Sequence, residues 1–216
     1  MALMTTPVRM SFDRLPAEIP IFPLPGVLLL PRGQLPLNIF EPRYVAMVDT
    51  ALSSGHRLIG MVQPKENGEL YRTGCAGRIQ SYNETPDGRY EIVLLGVCRF
   101  RIEEELAQVS GYRRVHASWN SFENDIEPIG CLDLDRGKLK KLLKNYFHHQ
   151  GLTCSWDAVD NAPDEKLITS LAMICPFDAK EKQALLEASC CRERGKLFMT
   201  LLEMESDNCS GCGHKH

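Results

Sequence analysis

The 216-residue sequence has no uninterrupted apolar segment long enough to cross a bilayer. Its longest apolar stretch, residues 19–30, is interrupted by Pro20, Pro23 and Pro25, whereas a membrane-spanning helix needs about 20 consecutive apolar residues. The first 18 residues also lack the apolar core of a secretory signal. We therefore expect a cytoplasmic protein with no membrane partner.

A strong charge of either sign is also missing. The net charge of −3 does not favour an anionic partner such as nucleic acid. Arg99, Arg101, Arg113 and Arg114 would form a basic stripe across neighbouring predicted strands. Glutamates at 103–105 balance them, and aromatic residues are not interleaved as single-strand binding requires. We interpret these arginines as a solvated strand face and expect no nucleic-acid partner.

Familiar catalytic and nucleotide-binding motifs are absent. The sequence has no G-x4-G-K-[ST] loop to hold nucleotide phosphates, and no G-x-S-x-G, H-E-x-x-H or G-x-G-x-x-G string. Asp133 and Asp135 lack the glycine and distal glutamate of an EF-hand loop and are typical of acids before a helix start. We expect no enzymatic activity, no catalytic residue and no cofactor.

Cysteine, by contrast, is abundant. Nine cysteines without an export signal do not predict a disulfide framework, so most should be reduced and buried. In the tail, Cys209, Cys212, His214 and His216 have the ligand types and spacing of half or more of a zinc site. A redox pair and a flexible tail without a defined role are the alternatives. We assign no metal ligand to the tail.

Other cysteines and histidines bear on the same question. Cys190 and Cys191 would supply further thiolates if the tail folded back onto them. His148 and His149 are neighbours on a predicted helix and point about 100° apart, so they do not form the metal-binding pair of histidines four residues apart. As cations they would complement the C-terminus of that helix.

The spacing of apolar residues predicts two halves. Strands are predicted at residues 58–62, 74–83, 90–102 and 112–117, with a turn at 85–88. One helix, from Pro42 to a cap at Gly55, interrupts this region, which favours a closed or half-closed antiparallel barrel over βαβ units. Further helices are predicted at 139–147 with a stop at Gly151, between Pro163 and Pro176, from Asp178 onward, and around 197–202.

The fold class is therefore predicted to be α+β, in four segments. A leader covers residues 1–17, a β subdomain covers 18–122, a helical bundle subdomain covers 123–206, and the Cys/His-containing tail covers 207–216. The boundary near residue 122 follows from the change to an acidic stretch that precedes the helices.

Residues 19–44, IPIFPLPGVLLLPRGQLPLNIFEPRY, resemble the opening of the Lon protease N-terminal domain. Further similar blocks follow in the same order at residues 74–79, 87–90, 95–102 and 176–187. The resemblance covers about residues 18–205 and implies a PUA-like β pseudo-barrel followed by a helical bundle. In full-length Lon this region is understood to recognise unfolded or damaged polypeptides and help assemble the oligomer, and cereblon carries a similar domain as an adaptor module.

The chain departs from full-length Lon in having neither the ATPase loop nor room for a Ser-Lys protease domain. It is identified as a stand-alone, non-catalytic member of the family. We expect an unfolded or extended polypeptide as its partner, with a protease or a chaperone as a further one. The alternative function is that of a metal- or redox-responsive protein acting through the C-terminal tail.

The block Phe40-Glu41-Pro42-Arg43-Tyr44 is the first candidate binding feature. In one interpretation it lines a binding groove. In the other it starts a helix, with Glu41 near the positive N-terminus and Tyr44 packed inward, which explains every residue type.

Prolines of the opening segment are the second candidate feature. Proline cannot donate to a sheet ladder, so they predict short or edge strands. Such an edge accepts an extended peptide by strand addition, or its prolines block unwanted pairing; both interpretations stay open. The prolines concerned are Pro20, Pro23, Pro25, Pro31 and Pro36.

Overall fold

In the computed structural model, residues 11–126 and 134–210 are described, with side chains up to residue 205. The chain separates into two compact units. The first comprises Met1–Pro25 and Leu29–Pro128, and the second comprises Gly26–Leu28 and Ile129–His216. Strands lie in the first unit and most helices in the second, so the predicted α+β class is confirmed. None of the described helices is both long and apolar enough to span a bilayer.

Over its described residues, the first unit contains six strands and one α-helix. In chain order these are β1 (Glu18–Pro23), β2 (Gln34–Ile39), α1 (Pro42–Ser53), β3 (Leu58–Val62), β4 (Thr73–Glu84), β5 (Tyr90–Val109) and β6 (Tyr112–Ser118). Two 3-10 helices, Phe12–Arg14 and Asn120–Asp125, flank them. The turn after β4 has Gly88 at a φ of 78°, as predicted for a glycine leaving a tight turn.

The sheet closes on itself through β5. Its strand order is β2-β5-β4-β3-β1-β6, and β6 pairs back with the second half of β5. The first half of β5 pairs instead with β2, which is possible because β5 is 20 residues long. Pairing is antiparallel except between β1 and β3, which departs from the predicted antiparallel barrel. A parallel pair needs a long crossover, and β2 and α1 provide it.

The helix α1 ends earlier than predicted. Its cap is Ser54, at an ordinary φ of −78°, rather than a left-handed Gly55. The Ser54 N–H bonds back to the carbonyls of Thr50 and Ala51, and its hydroxyl accepts from the Arg57 N–H. These bonds satisfy the helix end, so a glycine cap is not required.

Phe100 lies at the centre of the barrel core and is fully buried. Its ring packs over Gly60 and Gly74, where an added Cβ atom would lie only 2.7 Å from Phe100 Cζ. Trp119 contacts it from the other side, with ring centroids 5.6 Å apart. The flat ring thus occupies space that only glycine leaves free, which explains these two glycines within strands.

Arg99 is buried, which corrects the predicted solvated stripe. Its side chain is 4% exposed, whereas Arg101, two residues further along β5, is exposed. The reason is the 3-10 helix Asn120–Asp125, which covers Arg99 and presents Asp125 to it. Arg113 and Arg114 are half-buried on β6. Their side chains form ion pairs with Glu105 and Glu18 respectively.

Asp125 and Arg99 form a bidentate ion pair. The Asp125 Oδ2 accepts from Arg99 Nε at 2.8 Å, and the Asp125 Oδ1 accepts from a terminal guanidinium nitrogen at 2.8 Å. The Arg99 backbone N–H also donates to Oδ2 at 3.0 Å. The ring of Phe122 lies 4.7 Å from the guanidinium carbon. These contacts compensate both buried charges and fasten the 3-10 helix to β5.

Tyr90 connects β5 to α1 and provides a prediction for alkaline pH. Its hydroxyl donates to Asp49 at 2.8 Å, and this bond, together with burial, raises the pKa of Tyr90 from 10.0 to about 12. Because the unfolded chain loses the proton first, the bond's contribution to stability is complete below pH 10 and falls as pH rises towards about 12.

We expect the free energy of unfolding to fall more steeply with pH above 10 in the wild type than in Tyr90→Phe. Urea denaturation at a series of pH values measures this difference. At neutral pH the same pair of curves gives the constant offset due to the lost hydrogen bond. Parallel pH profiles would show that the Tyr90 pKa is not raised by folding.

The second unit is helical throughout its described elements. They are α2 (Arg136–Gln150), α3 (Trp156–Asn161), α4 (Asp164–Ile174), α5 (Ala179–Glu187) and α6 (Cys191–Ser210). The predicted stop at Gly151, φ 65°, and the capping box of Asp178 with Glu181 are both confirmed. The short α3 was not predicted, because six residues are too few to establish a helical period. The buried ring of Phe177 packs between those of Tyr146 and Phe198, with its centroid 5.6 Å from each of the other two.

Candidate functional site

The strand β2 lies at an outer edge of the sheet. It pairs with β5 from Gln34 opposite Leu95 to Ile39 opposite Tyr90. Among the described strands, no other pairs with its second side. The backbone groups on that side are therefore those of a free edge.

Three of the five prolines predicted to mark an edge lie in strands, two in β1 and one in β2. Pro20 and Pro23 lie in β1, a strand of six residues that pairs with both β3 and β6, so of the predicted short or edge strands this one is not an edge. Each nevertheless has a registered partner on one side only, Arg114 in β6 for Pro20 and Val62 in β3 for Pro23. The Ala117 N–H donates to the Ala17 carbonyl, so by alternation the Pro20 nitrogen points away from β6. The Leu24 N–H donates to the Val62 carbonyl, so the Pro23 nitrogen points away from β3. Neither proline therefore removes a ladder bond to the strand of its registered partner, and β1 remains inside the sheet.

Pro36 does lie on the edge strand, at the centre of β2. Pro25 and Pro31 lie outside the strands. Of the five prolines, Pro36 alone fulfils the prediction of an edge strand open to another chain.

The hydrogen-bonding direction of β2 follows from the pair that precedes it. The Gly96 N–H donates to the Gly33 carbonyl at 2.8 Å. Bonded and non-bonded pairs alternate along an antiparallel ladder, so the odd-numbered residues of β2 direct their backbone groups towards β5. The even-numbered residues Gln34, Pro36 and Asn38 direct theirs outward, and the described part of the chain supplies them with no backbone partner.

The edge adjoins a groove whose lining includes the aromatic residue Tyr82. Tyr82 in β4 lies opposite Ile92 in β5, which lies opposite Leu37 in β2, so the three side chains form one row across the sheet. Tyr82 is 52% exposed, and Phe40, directly after β2, is 63% exposed. A groove of about 570 Å³ runs over this region. Its lining residues are Pro36, Leu37, Asn38, Ser81, Tyr82, Asn83, Glu91, Ile92 and Val93.

Residues 40–44 divide between the two interpretations, the start of a helix and the lining of a binding groove. Pro42 is the first residue of α1, and Tyr44 is buried against Phe22 with ring centroids 4.2 Å apart, as the helix-start interpretation predicts. Glu41 takes the N-cap position but makes no capping bond; its carboxylate accepts from Arg43 Nε at 2.9 Å. Phe40 is the exposed aromatic residue of the block.

A second groove, of about 620 Å³, lies beside the loop between β3 and β4. Charges of both signs line it, so it favours neither anionic nor cationic ligands. The charged residues are Lys65, Arg72 and Arg113 with Glu69, Glu103 and Glu105.

The described cysteines are free and mostly buried. Burial raises the pKa of Cys98 and of Cys175 to about 12, which keeps both thiols protonated and unreactive. Cys190 differs: the backbone N–H groups of Glu193 and Arg192, at the start of α6, lower its pKa. The lowered pKa favours the thiolate form of Cys190.

The joint metal site of Cys190 with the tail is not compatible with α6. This helix runs without interruption from Cys191 to Ser210, which separates Cys190 from the tail by about 30 Å. The six residues after Ser210 reach at most about 20 Å when fully extended. Cys190 and Cys191 therefore cannot join Cys209 and Cys212 in one site.

The tail and the paired histidines give no described metal centre. The side chain of Cys209 and all of Cys212, His214 and His216 lie outside the described residues, so their metal site stays a hypothesis. Where side chains are described, no three potential metal ligands cluster. His148 and His149 are exposed in the last turn of α2, at the position predicted for helix-complementing cations. Asp135 caps α2 by accepting from the Lys138 N–H, while Asp133 lies outside the described part.

The sequence matches the family model of the ATP-dependent protease La (LON) substrate-binding domain over residues 18–204. Among curated relatives, the Lon protease of Flavobacterium johnsoniae is 23% identical over 208 residues, and that of Anaeromyxobacter dehalogenans is 25% identical over 214 residues. These alignments cover 91% and 94% of this chain. The chain spans about a quarter of the length of either relative, 25% in both cases.

Solved structures show the same fold. A Lon N-terminal domain protein from Xanthomonas campestris superposes with a TM-score of 0.59 at 21% identity, over 85% of this chain and 97% of that one. The N-terminal domain of a Mycobacterium avium complex Lon protease gives a TM-score of 0.61 at 18% identity, over 88% and 98%. The PUA-like barrel with a following helical region agrees with this fold.

Proposed function

The chain belongs to the family of LON substrate-binding domains, and we propose on this premise that it recognises polypeptide and does not itself catalyse a reaction. The observation that carries the proposal concerns one region of the sheet. A free strand edge and a groove that Tyr82 lines occur together on the β2–β5–β4 part of the sheet, and the exposed Phe40 directly follows β2.

Unfolded chains are the ligands that suit this surface. Exposed aromatic side chains beside a groove gain free energy when they cover apolar groups of a partner. A folded protein keeps such groups and its backbone bonds inside, whereas an unfolded chain presents both. The surface therefore discriminates by conformational state and accepts diverse sequences.

This role implies a further partner that acts on the bound polypeptide, and a protease or a chaperone fits it. The buried free thiols Cys75, Cys98 and Cys175 support a reducing compartment such as the cytoplasm as the place of action. The alternative is a metal- or redox-responsive protein acting through the C-terminal tail, and it rests on the sequence of Cys209, Cys212, His214 and His216. Removal of residues 207–216 separates the two functions, because polypeptide binding would persist and a tail-dependent metal response would be lost.

The proposal is tested with the double substitution Phe40→Ser and Tyr82→Ser. Each removes an exposed apolar contact, so we expect binding of an unfolded protein to weaken about tenfold or more. Fluorescence anisotropy with labelled, reduced and carboxymethylated α-lactalbumin measures the affinity. The native form of the same protein tests whether binding requires an unfolded ligand.

Val109→Ser is the matched control. Val109 is also an exposed apolar residue, 40% accessible, but it lies at the end of β5 remote from the half that pairs with β2. We expect wild-type affinity from this variant. Equal losses in the control and the double variant, or no binding of the unfolded probe by the wild type, would contradict the proposal.

A further inference from the structure

The outward backbone groups of β2 match those of an extended peptide, and we propose that the recognised polypeptide binds there as an added antiparallel strand. This inference rests on the proposed function and specifies how the polypeptide is held. The alternation along β2 places Gln34, Pro36 and Asn38 outward, and the side chains of all three are exposed. No described strand occupies this side of β2.

The hydrogen bonds that the edge provides define a register. Peptide residues opposite Gln34 and Asn38 each exchange two main-chain bonds with β2, since both the N–H and the carbonyl point outward. The residue opposite Pro36 makes one, because proline has no N–H. The edge therefore binds a five-residue segment, opposite residues 34–38, with one donor missing at the centre.

The side chains of β2 define the class of sequence. Leu35 and Leu37 are half-buried, and Leu37 belongs to the row that continues through Ile92 to Tyr82. Peptide residues opposite Leu35 and Leu37 share this face and extend the apolar row, so burial favours apolar side chains there. The intervening residues lie on the exposed face. The substrate class is therefore a strand-forming segment with apolar residues at alternate positions.

Pro36 favours a foreign strand over a second copy of this edge. Two β2 strands paired antiparallel about Pro36 would place proline opposite proline, and both central carbonyls would lack a donor. A peptide without proline at that position leaves only its own central carbonyl unbonded. The edge thus tolerates substrate while disfavouring its own dimer.

The experiment compares Asn38→Pro with Asn38→Ala in the full chain. Both remove the amide side chain, but only proline also removes the outward N–H, and an edge strand tolerates proline. We expect Asn38→Pro to bind the labelled, unfolded α-lactalbumin about 2- to 10-fold more weakly than Asn38→Ala, the range of one hydrogen bond. Pro36→Ala adds a donor and should bind more tightly than the wild type by a similar factor.

The outcomes separate this inference from the proposed function. If the wild type binds the probe, but the two variants at residue 38 bind it equally and Pro36→Ala matches the wild type, strand addition is refuted and recognition of polypeptide stands. If the wild type does not bind the probe at tens of micromolar, the proposed function itself fails. If sedimentation instead reveals a dimer that Asn38→Pro dissociates and the probe stays unbound, a second copy occupies the edge and the inference is overturned.

Discussion

Replacement of Asp125 by alanine is expected to lower the free energy of unfolding by about 3–5 kcal/mol. The carboxylate is 6% exposed and compensates an arginine that is itself 4% exposed. Without it, the Arg99 guanidinium stays buried beside Phe122 and loses its carboxylate partner. The 3-10 helix Asn120–Asp125 also loses the bond from the Arg99 backbone N–H. Removing one partner of a buried pair is costly because the charge left behind has lost its hydration.

Fluorescence of Trp119 during urea denaturation reports this change, because Trp119 packs against Phe100 in the same unit. A Trp156→Phe background removes the second tryptophan. The matched control is Glu105→Ala, which breaks the more exposed pair with Arg113 and should cost less than about 1 kcal/mol. A loss from Asp125→Ala no larger than that of the control would mean that the buried pair does not stabilise the first unit.

Phe100→Ala is expected to have an effect of similar size, a loss of about 3–5 kcal/mol. The ring is fully buried between Trp119 and the two strand glycines, so alanine leaves a cavity that rigid neighbouring strands cannot close. The same Trp119 fluorescence measures it. Val109→Ala, at an exposed position of the same strand, should change stability by less than about 0.5 kcal/mol.

Gly60→Ala tests the packing of the Phe100 ring against Gly60 directly. In the wild type the new methyl group would meet side chains only, Phe100 Cζ at 2.7 Å and Ile19 Cδ1 at 3.0 Å, and should destabilise the core. In the Phe100→Ala background the same methyl group fills part of the cavity and should restore stability. Additive losses in the double variant would contradict the packing of the ring against Gly60.

Both predictions concern the strand that also supports the candidate binding edge. β5 carries Arg99 and Phe100 in its middle and pairs with β2 through its first residues. The edge is therefore held by a strand that the barrel core makes rigid, and its backbone groups stay in position for a ligand. Variants of the edge, such as Asn38→Pro, should accordingly change binding without lowering the stability of the core.

Local features of the fold were predictable because short-range chemistry decides them. Proline at the first residue of α1, the turn ending at Gly88 and the capping box at Asp178 depend on neighbours within a few residues. The division into a β half and a helical half follows from the period of the apolar residues. The similarity to the Lon N-terminal domain was likewise carried by ordered blocks of sequence, and the match over residues 18–204 confirms it.

Tertiary structure decided which candidate residues are available for binding. Alternation along a strand separates two faces but does not say what covers them, so Arg99 and Arg101 look equivalent although a 3-10 helix from a distant part of the chain buries only Arg99. An edge is a property of strand order, which the long-range pairing of β5 with both β2 and β6 determines. For that reason a proline pattern spread over two strands indicated an edge, but only the assembled sheet assigned it to Pro36.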